Sequence, residues 1–311
     1  LERGSNGDIN GPFGNSRPNQ DQTAGRIRAA MVDSLDPAHN TVWVGGVDGG
    51  LWKTTDITAS PATWTLVNDY LSNLAVAAIC QDPRPGFQNI MYFCTGESFG
   101  NADAVQGVGV FKSVDAGATW SFLSSTSSYT AGTRIKCDFQ GNVYLGTRGN
   151  GLLRSIDGGS TWTNITPSGL SANICDIEIS NTAGPGRLHL VVGIGTPQAY
   201  RYTDIPSTVS SGSGWITPLT AFPSANYRAE IAVSGNVLYA MPNNSSGQVP
   251  TIYKSIDGGD NWTAAGSTPA SFNMSTFTNT QGWYDLSVVI NPANPNECVI
   301  GGVDCAKTVD G

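Results

Sequence analysis

The side chains of this sequence that are placed to do chemistry fall into three sets. Arg28, Arg134 and Arg228 stand at similar places in three strand-like segments, RIRAAMV, TRIKCDF and RAEIAVS, and Tyr284 opens a fourth, YDLSVVI. A guanidinium fork can grip a carboxylate through two parallel hydrogen bonds, and a tyrosine hydroxyl can act as a nucleophile. Asp48 in GGVDGGLW and Asp304 in GGVDCAK are two carboxylates in matching segments, able to serve as an acid and a base. The third set is the acid of an octet that recurs as SVDAGATW at 113–120, SIDGGSTW at 155–162 and SIDGGDNW at 255–262.

What positions these groups is a repeat. Aligned on the octet acid, the chain gives Asp56 in LWKTTD, Asp115 in VFKSVD, Asp157 in LLRSID, Asp204 in AYRYTD, Asp257 in IYKSID and Asp310 in AKTVD. A period of roughly 50 residues is the length of one four-stranded propeller blade. Before each acid lie two β-branched and aromatic segments, such as RIRAAMV then NTVWVGG, or RAEIAVS then GNVLYAM. Gly, Pro and Asn punctuate them, as DPAHN at 36–40 and NPANPN at 291–296 do, which is a strand-and-turn signal. After each of the first five acids a tryptophan, Trp64, Trp120, Trp162, Trp215 or Trp262, opens a further strand. The expected fold is therefore an all-β propeller of four-stranded antiparallel blades. An N-terminal extended segment, 1–24, precedes blades near 25–72, 73–128, 129–170, 171–224, 225–280 and 281–311. The last stops inside its own octet, so the whole protein is expected to carry seven or more blades.

Within such a blade the octet acid reads as a fastening. Asp can accept hydrogen bonds from turn amides, Gly can take positive φ, and Trp can pack beneath the loop. That assigns structural roles to Ser113, Asp115, Gly117 and Trp120, to Ser155, Asp157, Gly159 and Trp162, and to Ser255, Asp257, Gly259 and Trp262. A catalytic carboxylate occurs once or twice in a site, whereas this one recurs in blade after blade.

Composition narrows the function classes. Only 13% of residues are charged, against about 25% in an ordinary soluble domain, and glycine is abundant at 38, which suits an extracellular all-β surface. The net charge is −8 and the 16 basic residues are scattered singly, so nucleic acid is not an expected partner. No apolar run reaches the 18 or so residues needed to span a bilayer, so no membrane insertion is expected. The N-terminus LERGSNGDINGPFG has no apolar signal core and reads as that of a processed or trimmed soluble chain.

Six cysteines without any CxxC, and two isolated histidines, His39 and His189, give no zinc spacing and no support for a Ser-His-Asp triad. In an oxidising compartment Cys80 with Cys94, Cys298 with Cys305 and Cys137 with Cys175 is one of the possible pairings; buried thiols are the other reading. Asp8 and Asn10 in NGDINGP have the style of a calcium loop but lack its remaining ligands, so no cofactor beyond a conceivable calcium is expected. Sequons stand at Asn164, Asn243, Asn244, Asn261 and Asn273 and matter only in a eukaryotic secretory host.

The octets match S-x-D-x-G-x-x-W, and on them the chain resembles the BNR or Asp-box propellers of sialidases, sortilin-type receptors and xyloglucan-cleaving enzymes. The segments GRIRAAMVDSLDPAHNTVWVGGVDGGLWKTTD and QGWYDLSVVINPANPNECVIGGVD are similar to large secreted bacterial BNR-repeat proteins of the kind exported by the type IX route. The resemblance implies a secreted or cell-surface location and ligands on the face opposite the octets. Under a sialidase-like reading Arg28, Arg134 and Arg228 would hold a carboxylate and Tyr284 would attack; the period of two along a strand also places Arg26 beside Arg28. Yet GRIRAAM has Arg28 where the sialidase motif has Pro, and Glu230, two residues after Arg228, could neutralise it. Under a xyloglucanase-like reading Asp48 and Asp304 would be acid and base, although Asp48 lies one residue from the matching position. With no complete catalytic set, the expected function is non-catalytic binding of a glycan or protein ligand, with glycoside hydrolysis as the alternative.

Overall fold

The computed structural model describes residues 26–100, 104–181, 186–223, 227–265, 274 and 276–311. The segment 1–24, with Asp8 and Asn10, and the sequon Asn273 lie outside the described residues. Among these the chain forms twenty-two strands and one 3-10 turn at Ser124–Thr126. No helix among the described residues is long and apolar enough to cross a membrane.

The strands pair in sequence order into six antiparallel sheets, the blades of an all-β propeller. Blade one is β1 (Ile27–Val32), β2 (Val42–Gly46), β3 (Leu51–Thr54) and β4 (Thr65–Leu66). Blade two is β5 (Val76–Gln81), β6 (Met91–Thr95), β7 (Val110–Ser113) and β8 (Ser121–Phe122). Blade three is β9 (Gly132–Cys137), β10 (Val143–Thr147), β11 (Leu152–Ser155) and β12 (Thr163–Asn164). Blade four has three strands, β13 (Ile174–Ser180), β14 (Arg187–Val192) and β15 (Ala199–Thr203), with a single bridge between Tyr202 and Ile216 where a fourth would lie. Blade five is β16 (Arg228–Ser234), β17 (Val237–Asn243), β18 (Tyr253–Ser255) and β19 (Thr263–Ala264), and blade six is β20 (Ser287–Ile290), β21 (Cys298–Gly301) and β22 (Cys305–Thr308).

Burial explains why the second strand of a blade reads as a continuous apolar run. All five residues of β6 and of β10 are buried, because both faces of the strand are covered. The outermost strands β8, β12 and β19 are two exposed residues each, short edges that offer little for another chain to pair with. Glycines in second strands let the next blade approach. A Cβ at Gly45 would stand 2.5 Å from Val76 Cγ1, and one at Gly146 would stand 2.8 Å from Ile174 Cγ2.

The chain divides into two compact units, one holding blades one and two and the other blades three to six together with residues 82–84 and 98–100. In the first unit the core is Trp43, Leu51, Val76, Met91, Phe93 and Phe111, with Phe93 and Phe111 stacked at 4.8 Å. In the second unit, Tyr144, Leu152, Ile174 and Leu190 join blades three and four, and Cys175, Tyr200, Ile231 and Trp262 join four and five. Met241, Phe277, Leu286 and Ile300 then join five and six.

Candidate functional site

The octets hold themselves together. In blade two the Ser113 hydroxyl donates to Asp115 Oδ1 at 2.8 Å and accepts from the Gly117 N–H at 2.8 Å. Asp115 also accepts from the Thr119 N–H at 2.9 Å and from the Thr119 hydroxyl at 2.5 Å. Blade three repeats the set with Ser155, Asp157, Gly159 and Thr161, and blade five with Ser255, Asp257, Gly259 and Asn261. Donors crowded on the charged form hold Asp115 and Asp157 at about 2, the threonine hydroxyl contributing most to each. Burial works against the charge of Asp257, but the Asn261 backbone and side chain outweigh it and its carboxyl too is lowered. A carboxylate so engaged is neither a general acid nor a base near neutral pH.

The octet also clasps its neighbour. Gly117 has φ 80 and Gly259 has φ 96, in the left-handed region. A Cβ at Gly117 would run into the indole of Trp43 on β2, and one at Gly259 into the hydroxyl of Tyr200 on β15. Each of these octet glycines therefore seats an aromatic side chain of the preceding blade. The indole N–H groups of Trp120 and Trp162 donate back to the carbonyls of Gly117 and Gly159, at 3.1 and 3.2 Å.

Blade four departs from the alignment on Asp204. The ladder pairs Met91 with Ser113, Val143 with Ser155 and Leu238 with Ser255, and in blade four it pairs Leu188 with Thr203. Thr203 thus occupies the serine position, where its hydroxyl accepts from the Ile205 N–H at 3.2 Å. The acid's position belongs to Ile205, and Asp204 lies one residue early, bound to Arg187 at 2.6 and 2.9 Å. Pairing register, which strand length and loop geometry set, overrules the spacing of the acids here.

At the other end of the blades, in the second unit, the inner strands carry a charged network. In blade five Leu238 pairs with Ser255 while Asn243 pairs with Arg228, so the length of β17 separates Arg228 from the octet. Arg228, 1% exposed, donates to Glu230, to the carbonyls of Tyr284 at 2.8 Å and Trp283 at 3.2 Å, and lies 3.9 Å over the ring of Phe99. The other oxygen of Glu230 takes Arg134 from β9. Arg134 Nε donates to Asp176 Oδ1 on β13 at 2.6 Å, and Asp176 Oδ2 accepts the Ile231 N–H of β16 at 2.8 Å. Two cations and two anions thus tie the inner strands of blades three, four and five. One row further along, Lys136 pairs with Glu178 at 2.8 Å.

Electrostatics follow from burial. Desolvation pushes Asp176 up to about 7 even against the neighbouring Arg134. For Arg134 burial disfavours the charge, but Asp176 and Glu230 together more than reverse that and its pKa rises. Arg134 and Arg228 do converge on one point, and the protein's own Glu230 carboxylate occupies it. Tyr284 meets Arg228 through its backbone carbonyl, while its ring lies beside Trp283 at 5.4 Å.

Arg28 belongs to the first unit and does not follow the alternation assumed for it. Register shifts between Ile27 and Ala29, so Arg28 is the extra residue of a β-bulge, and Arg26 faces Glu97 at 3.6 Å. Asp48 is exposed in the β2–β3 turn of the first unit, and Asp304 is exposed in the β21–β22 turn of the second. His189 is a core histidine: Tyr200 Oη lies 2.6 Å from Nδ1 and Ser180 Oγ 3.0 Å from Nε2, and burial lowers its pKa to about 3. Cys175 and Cys298 stand in the structure as buried thiols, as the second reading of the cysteines expected, and burial raises them to about 12 and 11.

Asp176 and Phe99 were not among the residues singled out in the sequence. The signal for Asp176 was present: an acid inside the apolar run ICDIEIS has to find a buried cation. Its aim depends on a second bulge, between Ile174 and Asp176, which no local pattern announces. Phe99 comes from the loop after β6 and packs with the core of the second unit.

Comparison with known proteins bears on the fold. No family model matches the chain, and no curated protein does. Among solved structures it is similar to the GH74 xyloglucanase from Xanthomonas campestris, with TM-score 0.54 and 15% identity over 90% of this chain and 51% of that one. It is similar also to YCF48 bound to D1 peptide, with TM-score 0.58 and 18% identity over 93% of this chain and 79% of that one. A third likeness is to an auxiliary nutrient binding protein from Bacteroides thetaiotaomicron, with TM-score 0.57 and 12% identity over 98% of this chain and 75% of that one. The chain spans about half the length of the xyloglucanase. At these identities the likeness establishes a β-propeller and nothing of its chemistry.

Proposed function

We propose that the protein is a secreted or cell-surface propeller of the BNR or Asp-box type that binds a glycan or protein ligand without transforming it, at the blade ends opposite the octets. The observation that carries this reading is the engagement of Arg134 and Arg228 by Glu230 and Asp176. An arginine that is to hold a ligand's carboxylate needs an open fork, and here the protein's own acids fill both. The half-buried Trp283 and Tyr284 lie beside this network and offer ring faces of the kind that sugars and peptides pack against. The likeness to a nutrient binding protein and to a propeller bound to a peptide is compatible with this class. Export by the type IX route rests on the sequence resemblance.

The test is a glycan array together with a pull-down from matrix and cell-surface fractions, repeated with Trp283→Ala. A ligand whose affinity falls about tenfold in the variant supports the reading. The absence of any retained glycan or protein, or binding indifferent to Trp283, overturns it.

The second reading is a glycoside hydrolase that uses Asp48 and Asp304. The specific observation in its favour is that both carboxylates are exposed in the same inter-strand turn of their blades, outside the charged network.

A further inference from the structure

Blade one ends differently from blades two, three and five. Seven residues separate Asp56 from Trp64, against four between Asp115 and Trp120. In the regular octets the residue before tryptophan, Thr119 or Thr161, gives its hydroxyl to the acid. In blade one Thr58 does so, donating to Asp56 Oδ1 from its N–H at 2.9 Å and from its hydroxyl at 2.6 Å. Thr63, the residue before Trp64, is thereby released from that duty.

It lines a hollow of about 450 Å³ inside the first unit, between the outer strands of blade one and the octet of blade two. Thr55, Thr63 and Thr65 supply hydroxyls, and Leu66, Val67 and the Ala116–Ala118 turn supply an apolar wall. Lys53 is the only charged residue of the lining. Its ammonium lies 4.5 Å from the Trp43 ring centroid and 3.9 Å from Asp33 Oδ2, beyond hydrogen-bond length. Asp33 is already engaged by Trp43 Nε1 at 3.0 Å, Gln81 Nε2 at 2.9 Å and the Leu35 N–H at 3.0 Å. Lys53 is thus ion-paired with Asp33 at a distance longer than a hydrogen bond, and its ammonium protons have no acceptor within hydrogen-bond length among the described residues.

We propose that this hollow is a binding site for a carboxylated sugar, a uronic acid residue, with the carboxylate on Lys53, ring hydroxyls on the three threonines and the C–H face against Leu66 and Val67. The chemistry selects that class. The lining holds a cation and no acid, since Asp33, the ion-pair partner of Lys53, lies outside it; this favours an anion, the hydroxyls match a polyol, and the apolar wall distinguishes a sugar ring from a bare inorganic ion. The site goes beyond the binding proposed above, which concerns the opposite blade ends.

The experiment titrates the isotope-labelled chain with D-glucuronic acid, D-glucose and acetate and follows amide shifts by NMR. Glucuronic acid is expected to shift the signals of Thr55, Thr65, Ala116, Gly117 and Ala118, with glucose and acetate each at least about tenfold weaker. Lys53→Met is expected to weaken glucuronic acid by about tenfold or more. Thr63→Trp, at an exposed position, is expected to fill the hollow and abolish the shifts while the rest of the spectrum is retained. Silence of those five amides, acetate or glucose matching glucuronic acid, or unchanged affinity in both variants would overturn the proposal.

Discussion

Position 259 admits no side chain. Gly259 combines φ 96 with direct contact to the Tyr200 hydroxyl, so an added methyl meets both backbone strain and a buried ring. Gly259→Ala is expected to lose about 2–4 kcal/mol from the two effects together. Gly86 has φ 84 with nothing within 4 Å of the position its Cβ would take, so Gly86→Ala is expected to lose only about 1 kcal/mol from strain. Urea denaturation of the two variants makes the comparison, and equal losses would remove the clasp. The acids of this molecule respond to pH in opposite senses. Asp115 and Asp157 lie at about 2, below the unfolded value near 3.9, so the stability they contribute is present above that value and is lost as pH falls toward 2. Asp176 lies at about 7, above its unfolded value, so its contribution is complete below about pH 4 and is lost as pH rises through 7. Unfolding midpoints between pH 4 and 7 should therefore slope less in Asp176→Asn than in the parent chain.

At the scale of elements, the inner strands β9, β13 and β16 are tied by ion pairs as well as by the apolar side chains behind them. Glu230 is 4% exposed and takes one arginine on each oxygen, so removing its charge strands the buried Arg228 and leaves Arg134 with Asp176 alone. Glu230→Gln is expected to destabilise by about 3–5 kcal/mol, and Arg228→Met combined with Glu230→Gln by less than the sum of the two single changes. Denaturant midpoints of the three variants form the cycle, and strict additivity would mean the pair is not coupled. Strand identity was legible in the sequence because β-branched segments and turn residues alternate along it. Register was not: the slip that puts Ile205 rather than Asp204 at the acid's position, and the bulges at Arg28 and before Asp176, arise from pairing between strands.

For the whole molecule, two compact units of blades share one architecture and one fastening, and the two candidate carboxylates Asp48 and Asp304 belong to different units. If the protein binds without catalysis, the chain releases no reducing sugar from xyloglucan and no sialic acid from sialyllactose, and Asp48→Asn and Asp304→Asn match the parent. Turnover that falls at least a hundredfold in either variant would instead establish the hydrolase.

The sequence by itself determined the blades. A turn that needs an acceptor, a positive φ and a packed indole within eight residues can be written only with a few residue types, and so SIDGGSTW and SIDGGDNW are visible wherever the turn recurs. The tertiary structure alone decided what the charged residues do. Arg134, Asp176 and Glu230 lie on three different strands, and their meeting depends on where a bulge falls and how neighbouring blades pack, over distances that no spacing along the chain encodes. The release of Thr63 and the placing of Lys53 beside it are of the same kind. An insertion is plain in the sequence, but the hollow beside it exists only once the octet of the next blade has folded against it.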